Sequence, residues 1–248
     1  MSKLIWDATG ERLAETGVKN GVLYPFASGE YANGVAWNGL TSVNEAPTGA
    51  EASPFYADNQ KYLEIMSEEE FAGTIGCYTY PDEFKACIGE AELATGITIG
   101  QQRHNIFGFC YRTEIVNDTD GIDYGYKIHL VYNSLAGVST RDHTTINESP
   151  ELEELSFDFT ATKVPVTGAK PTAHLIIDTT KIPEGSADKL ATLLDQLYGK
   201  DAIPAIPAIP ADPDADPPVV AVPEVPEVPA IVPTLLMPDE VAAIFAEG

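Results

Sequence analysis

Apolar and polar residues alternate with a period of two through much of the first two hundred positions. Leu155, Phe157, Phe159 and Ala161 are interleaved with Ser156, Asp158 and Thr160, which predicts a strand with one face on a core and the other in water. Tyr126, Ile128, Leu130 and Tyr132 alternate with Lys127, His129 and Val131 in the same way. In the stretch before them, Phe107, Phe109, Tyr111, Thr113 and Ile115 line one face. The intervening Asn117-Asp118-Thr119-Asp120-Gly121-Ile122-Asp123 is a turn-forming cluster, so the two stretches predict a long antiparallel hairpin. Further strands are predicted over 35–43, 60–66, 71–80 and 172–180. Segments 24–59 and 88–104 are rich in small and polar residues without a clear period, and loops of this length inside a domain usually contact something.

Helical spacing is rarer. Leu190, Leu193, Leu194 and Leu197 fall at i, i+3, i+4 and i+7 after Ser186, and Gly199 supplies a stop, which predicts an amphipathic helix. A short helix is predicted to start at Pro81-Asp82-Glu83-Phe84, with proline in the first turn and acids near the positive end. The pattern then changes near Lys200. Residues 201–248 hold 11 of the 19 prolines, nine acids and no Lys or Arg, so the chain divides into a domain over 1–200 and an extension over 201–248. Ala-Ile-Pro repeats three times over 202–210, which favours polyproline II, with Ile203, Ile206 and Ile209 on one edge. The extension ends in a predicted short helix with Val241, Ile244 and Phe245 on one face. It reads as a strap with an anchor that lies on the outside of whatever the domain assembles into and is dispensable for making that assembly, the alternative being a frayed, solvated tail.

Charge and chemistry narrow the function. A net charge of −24 argues against any site that holds nucleic acid by neutralising phosphates, and it fits a surface kept soluble by repulsion. Removing the extension leaves 29 acids and 14 bases, so the domain is acidic in its own right. No apolar run approaches a membrane span and the start lacks a signal-peptide core, from which we expect a cytoplasmic product. Cys77, Cys87 and Cys110 form no CxxC pair and are expected as buried free thiols. There is no GxSxG elbow, no phosphate loop and no HExxH helix, so neither an enzyme nor a cofactor or metal site is expected. His129 and His174 fall on the polar faces of predicted strands and are read as surface histidines, and His143 sits in a Thr-rich turn. Asp118, Asp120 and Asp123 do not have the EF-hand spacing. Glu68, Glu69 and Glu70 read as a solvated strand start rather than as catalytic carboxylates.

Several stretches carry a family likeness. They are Trp6-Asp7-Ala8-Thr9-Gly10-Glu11-Arg12, Gly17-Val18-Lys19-Asn20-Gly21-Val22-Leu23-Tyr24-Pro25 and Gly34-Val35-Ala36-Trp37-Asn38-Gly39-Leu40. Tyr56-Ala57-Asp58-Asn59, Tyr78-Thr79-Tyr80-Pro81-Asp82-Glu83-Phe84 and Gly108-Phe109-Cys110-Tyr111-Arg112-Thr113 continue the set. Over about residues 3–180 the chain resembles the major tail tube proteins of siphovirus-like phages with long, non-contractile tails. The resemblance implies a mainly β fold with minor α, in which two antiparallel sheets pack as a sandwich or partial barrel with a flanking helix. It also implies a virion protein, assembled in the host cytoplasm, whose hexameric rings stack into a tube. Its partners would be further copies of itself, a tape measure protein and tail initiator and terminator proteins, with DNA passing through without specific binding. Glu68, Glu69, Glu70, Glu114, Asp118, Asp120 and Asp123 are then candidates to face the channel, because they sit on or beside the predicted hairpins. The proline-rich extension departs from the family pattern. The competing reading is a carbohydrate-binding or adhesive β-sandwich on a particle surface, with exposed aromatic residues as a sugar platform.

Overall fold

The structure, a computed structural model, describes residues 4–141, 143, 145, 152–183, 185–205 and 226–246. Ile206 and Ile209 lie outside the described residues. The strands are β1 (Leu13–Ala27), β2 (Glu30–Tyr31), β3 (Val35–Trp37), β4 (Leu40–Glu45), β5 (Thr48–Gly49), β6 (Ala52–Ala57) and β7 (Gln60–Met66). They continue as β8 (Glu69–Cys77), β9 (Ala91–Ala94), β10 (Ile97–Ile99), β11 (Ile106–Asn117), β12 (Gly121–Ala136), β13 (Leu155–Ala161) and β14 (His174–Asp178). The helices are α1 (Ala187–Tyr198) and α2 (Pro238–Ala246), with short 3₁₀ turns at Asp82–Ile88 and Thr179–Lys181.

One antiparallel sheet runs in the order β2-β1-β11-β12-β13-β8-β4. The expected hairpin is β11–β12, paired from Ile106↔Leu135 to Asn117↔Gly121 at its tip. β1, which the alternation did not reveal, pairs with β11 from Pro25↔Phe107 to Leu13↔Asn117 and turns the hairpin into a three-stranded finger. Its register shifts between Thr16 and Lys19 and again between Lys19 and Val22, beside Gly17 and Asn20 at φ 71° and 54°. Such bulges place extra residues in the strand and break its period of two.

The sheet closes on itself into two layers without forming a barrel. β11 and β4 stand far apart in the strand order, yet the Tyr111 hydroxyl donates to the Glu45 carboxylate. Leu23, Phe107, Phe109 and Val131 from one layer therefore share a core with Ile75, Cys77, Phe157 and Phe159 from the other. Phe84, from the 3₁₀ turn over Asp82–Ile88, fills the end of this core. Its ring lies 4.5 Å from Trp37, 5.3 Å from Phe107 and 5.1 Å from Phe157, centroid to centroid. All three cysteines are buried free thiols, and burial pushes Cys87 up to about 12, which leaves it unreactive.

A second core forms on the outer face of the β1–β11–β12–β14 layer, where Tyr24, Cys110, Ile128, Leu130, Tyr132 and Ile177 meet Leu193 and Leu197 of α1. The chain beyond Lys200 completes it. Leu235, Leu236 and Val241 are buried there, with Ile244 and Phe245 packed at the margin, so the terminal helix docks on its own subunit. Tyr132 donates to the Leu236 carbonyl at 3.0 Å and Tyr24 to that of Leu197 at 2.6 Å. Gly108 lies under this segment, because a Cβ there would meet Leu235 Cδ2 at 2.2 Å. Both ends of α2 are tethered, by Asp239 accepting from Thr167 at 2.9 and 2.6 Å and by Lys189 donating to the Phe245 carbonyl at 3.2 Å.

This packing makes the end of the extension part of its own subunit's core. At about 1.5–3 kcal/mol per buried aliphatic side chain, Leu235, Leu236 and Val241 together contribute on the order of 5–9 kcal/mol. That matches the whole stability of a typical domain. Truncation after Lys200 should therefore abolish the cooperative urea transition, and Leu236→Ala alone should lower stability by about 2–5 kcal/mol. A truncated chain with the full-length midpoint would show that the second core closes without the segment.

Candidate functional site

The surfaces that set this molecule apart are those it leaves unfinished. β6 and β7 form a two-stranded sheet of their own, closed by Asp58 and Asn59 at φ 50° and 58°, the signature of a type I′ turn. Every residue of both strands is exposed. The pairs Phe55↔Leu63 and Ser53↔Ile65 put Phe55, Leu63 and Ile65 on one face, while Tyr62 and Met66 alternate onto the other. Tyr56 and Tyr62 are 71% and 78% exposed. A lone hairpin is marginally stable in water, and this one is apolar on both faces. β9 and β10 make a second small arm with Leu93 and Ile97 exposed.

Three strand edges are also open among the described residues. β3 and β2 cover β1 only from Gly21 onward, which leaves Leu13–Asn20 bare on the side away from β11. β4 ends the strand order, and β14 pairs with β12 alone. Unpaired edges of this kind invite another strand.

The acids expected to face a channel fall in two groups and one exception. Glu68, Glu69 and Glu70 sit at the root of the β6–β7 arm, exposed, with Glu68 3.4 Å from Lys163 and Glu69 and Glu70 opposite Gly49 and Thr48. Asp118, Asp120 and Asp123 crowd the finger tip. There the Asn117 carboxamide donates to the Gly10 carbonyl at 2.8 Å and accepts from the Asp120 amide at 3.0 Å, while Asp118 accepts from the Gly10 amide at 3.0 Å. Glu114 is the exception. It lies 2.7 Å from Lys19 and 2.9 Å from Arg112, so its charge is cancelled on the spot.

Two histidines lie where the alternation did not put them. His129 is buried, 4% exposed, and His174 is half-buried beside it, both between the two sheet layers. The face of β12 read as polar carries Val131 as well, and it meets the second layer rather than water. Burial holds His174 down to about 4, against the opposing pull of Glu45. The hydrogen bond from His129 holds Glu45 at about 2. Glu45, in the segment read as loop, is the site residue that the sequence did not reveal. Ile203 pairs with Val228 across an isolated bridge, and Val241, Ile244 and Phe245 bind α1 as described above.

No family model and no curated protein matches the chain. Among solved structures, a chain from the PVC sheath–tube complex of an extracellular contractile injection system, in its extended state, is 11% identical. The alignment covers 64% of this chain and 89% of that one at a TM-score of 0.27, a level from which neither fold nor function is carried over. No helix among the described residues is long and apolar enough to cross a membrane.

Partial burial would raise the Glu114 carboxyl, but hydrogen bonds from Lys19 and Arg112 outweigh this and hold it below the ordinary carboxylate range. A depressed carboxyl stabilises above its unfolded pKa and loses that contribution as pH falls through the folded one. Glu114→Gln should thus cost about 1 kcal/mol or less at pH 7. In urea melts, the gap from the parent protein should shrink steadily as pH drops below 4.5.

Proposed function

We propose that this chain is the structural subunit of a phage tail tube, polymerising as stacked hexameric rings around a channel through which DNA leaves the particle. The observation that carries this is the β6–β7 arm, which pairs with no other strand among the described residues and exposes apolar side chains on both faces. A monomer gains nothing from such an arm. Phe55, Leu63, Ile65 and Met66 are about half to two thirds exposed, so burying the remainder against a neighbour would contribute about 1–2 kcal/mol each, comparable with the estimated 4–15 kcal/mol that association costs in lost freedom. One arm on one subunit roughly breaks even. A ring docking on a ring engages all its arms while losing rigid-body freedom once, so the surplus accumulates. The open edges of β1, β4 and β14 supply the lateral pairing that would close the sheets of neighbouring subunits into a common barrel.

The acidic groups at the arm root and finger tip suit a channel lining that repels phosphates, with Glu68, Glu69, Glu70, Asp118, Asp120 and Asp123 as the lumen candidates. Glu114, neutralised by Lys19 and Arg112, is the weakest of that set. A tape measure protein inside the tube and initiator and terminator proteins at its ends would be the partners, and the virion tail the location. The exposed rings of Tyr56 and Tyr62, with Trp6 and Tyr78, favour the carbohydrate-binding alternative.

Sedimentation and negative-stain imaging test the reading. The full chain should form hollow tubes at high concentration or with tail initiator components. A Leu63→Asp/Ile65→Asp variant should stay monomeric while melting at the parent temperature, because these residues lie outside both cores. A compact monomer under every such condition, or glycan affinity lost on Tyr62→Ala, would overturn the tube.

A further inference from the structure

We infer that Glu45, His129 and His174 form a binding site for one divalent transition-metal ion of the Zn²⁺ class, clamping the two sheet layers together. Their donor atoms converge. His129 Nδ1 lies 3.2 Å from His174 Nε2 and 3.1 Å from Glu45 Oε1, and His174 Nε2 lies 3.6 Å from that same oxygen. Ligands at zinc distances of about 2.0–2.1 Å around a tetrahedron are separated by roughly 3.3–3.4 Å. The triangle therefore has the size of one face of a zinc tetrahedron. The imidazole planes lie 13° apart, so one ring must turn about χ2 for both lone pairs to meet at the shared point.

Proton accounting points the same way. Thr113 has one hydroxyl proton, and the Glu15 carboxylate accepts it at 2.6 Å. The Thr113 oxygen, 3.0 Å from His129 Nε2, can then only accept, so Nε2 holds a ring proton and Nδ1, whose hydrogen bond to Glu45 an ion would replace, is the ligand atom. Nδ1 faces a carboxylate oxygen and a second imidazole nitrogen. One proton bridges two of these three atoms, whereas a dication at the centre bridges all three.

The surroundings are those of a supported site. Glu15 Oε1 stands 3.4 Å from His129 Nε2, a carboxylate behind the ligand of the kind that fixes a metal-binding tautomer. The Tyr111 hydroxyl fixes Glu45. Tyr111 stacks on His129 at 4.6 Å and 7°, and Phe71 on His174 at 4.5 Å and 30°, which restrains both rings. Glu45 is partly open to solvent, so water can complete a two-His, one-carboxylate set. Nitrogen donors favour Zn²⁺, Co²⁺ or Ni²⁺ over Ca²⁺ and Mg²⁺. The ligands come from β4, β12 and β14; β12 and β14 are hydrogen-bonded neighbours in one layer, so the ion would join that pair to β4 across the layers.

The test is titration of the chelator-stripped full chain with ZnCl₂ by calorimetry, with and without excess CaCl₂. One Zn²⁺ per chain should bind despite the calcium and raise Tm. Glu45→Gln and His174→Gln should each weaken binding ten- to a hundredfold, while His143→Gln leaves it unchanged. Binding that calcium displaces, or that both ligand variants retain, would place the ion on the acidic surface and overturn the site. If those variants fail to fold, the Co²⁺-loaded parent decides. Strong visible d–d absorption of a four-coordinate ion supports the clamp, and the weak spectrum of a six-coordinate ion refutes it.

Discussion

β12 is the constraint on which the rest of this structure depends, because its second half, from Lys127 on, is buried on both faces and paired on both edges. Ile128, Leu130 and Tyr132 meet the helices, while His129, Val131 and Ala136 point between the sheet layers. One edge pairs with β11 along its whole length, and the other is divided between β14, over Lys127–Val131, and β13, over Ser134–Ala136. That division lets a single sheet become two facing layers, since the second layer begins where β12 changes partner. Displacing β12 would open both cores at once. The buried imidazole of His129 must then be satisfied from within, which is why Thr113, Glu15, Glu45 and His174 gather around it.

Much of this was legible in the residue pattern, and the failures have physical causes. β7 was expected over 60–66 and is found there, β13 and the β11–β12 hairpin stand where the alternation placed them, and the leucine stripe after Ser186 is α1. β1 escaped because its bulges at Gly17 and Asn20 break the alternation that would reveal it. The arm strand β6 escaped because Ala52, Ser53 and Ala57 give it no alternation and Pro54 argues against a strand. His129 and His174 were read as surface residues on the premise that a strand in an antiparallel sheet keeps one wet face. Val131, apolar on the supposedly wet side, was the available contrary signal. Nothing in the spacing of Glu45, His129 and His174 announces their meeting, since it depends on a fold that brings β4 over β14.

The extension shows how composition misleads about partnership. Its prolines and acids describe a solvated chain, and that description ends before Leu235 and Leu236. These two residues and the α2 stripe close the helix-covered core from outside the domain that composition marked. A segment can be low in complexity for most of its length and still carry the last piece of a core at its end. Gly108 belongs to the same arrangement. It is a glycine in mid-strand because a later part of the chain must lie on it.

Charge and exposed apolar surface pull against each other on the assembly that we propose. At −24 per subunit, bringing copies together raises a repulsion that reaches about 10 Å at 0.1 M salt and about 30 Å at 0.01 M. Arm burial is a contact effect of a few ångströms that salt does not weaken. The two ranges give order to assembly: repulsion keeps free subunits apart while their arms are exposed, and the arms act only once a docked surface holds a neighbour at contact. In that proposed assembly an initiator presenting such a surface would offset the repulsive approach for the first ring, and each added ring would renew that surface for the next. The same asymmetry accounts for a chain that carries so acidic a surface beside hairpins that would otherwise aggregate, because the carboxylates suppress random encounters without weakening the docked state by as much as the arms stabilise it.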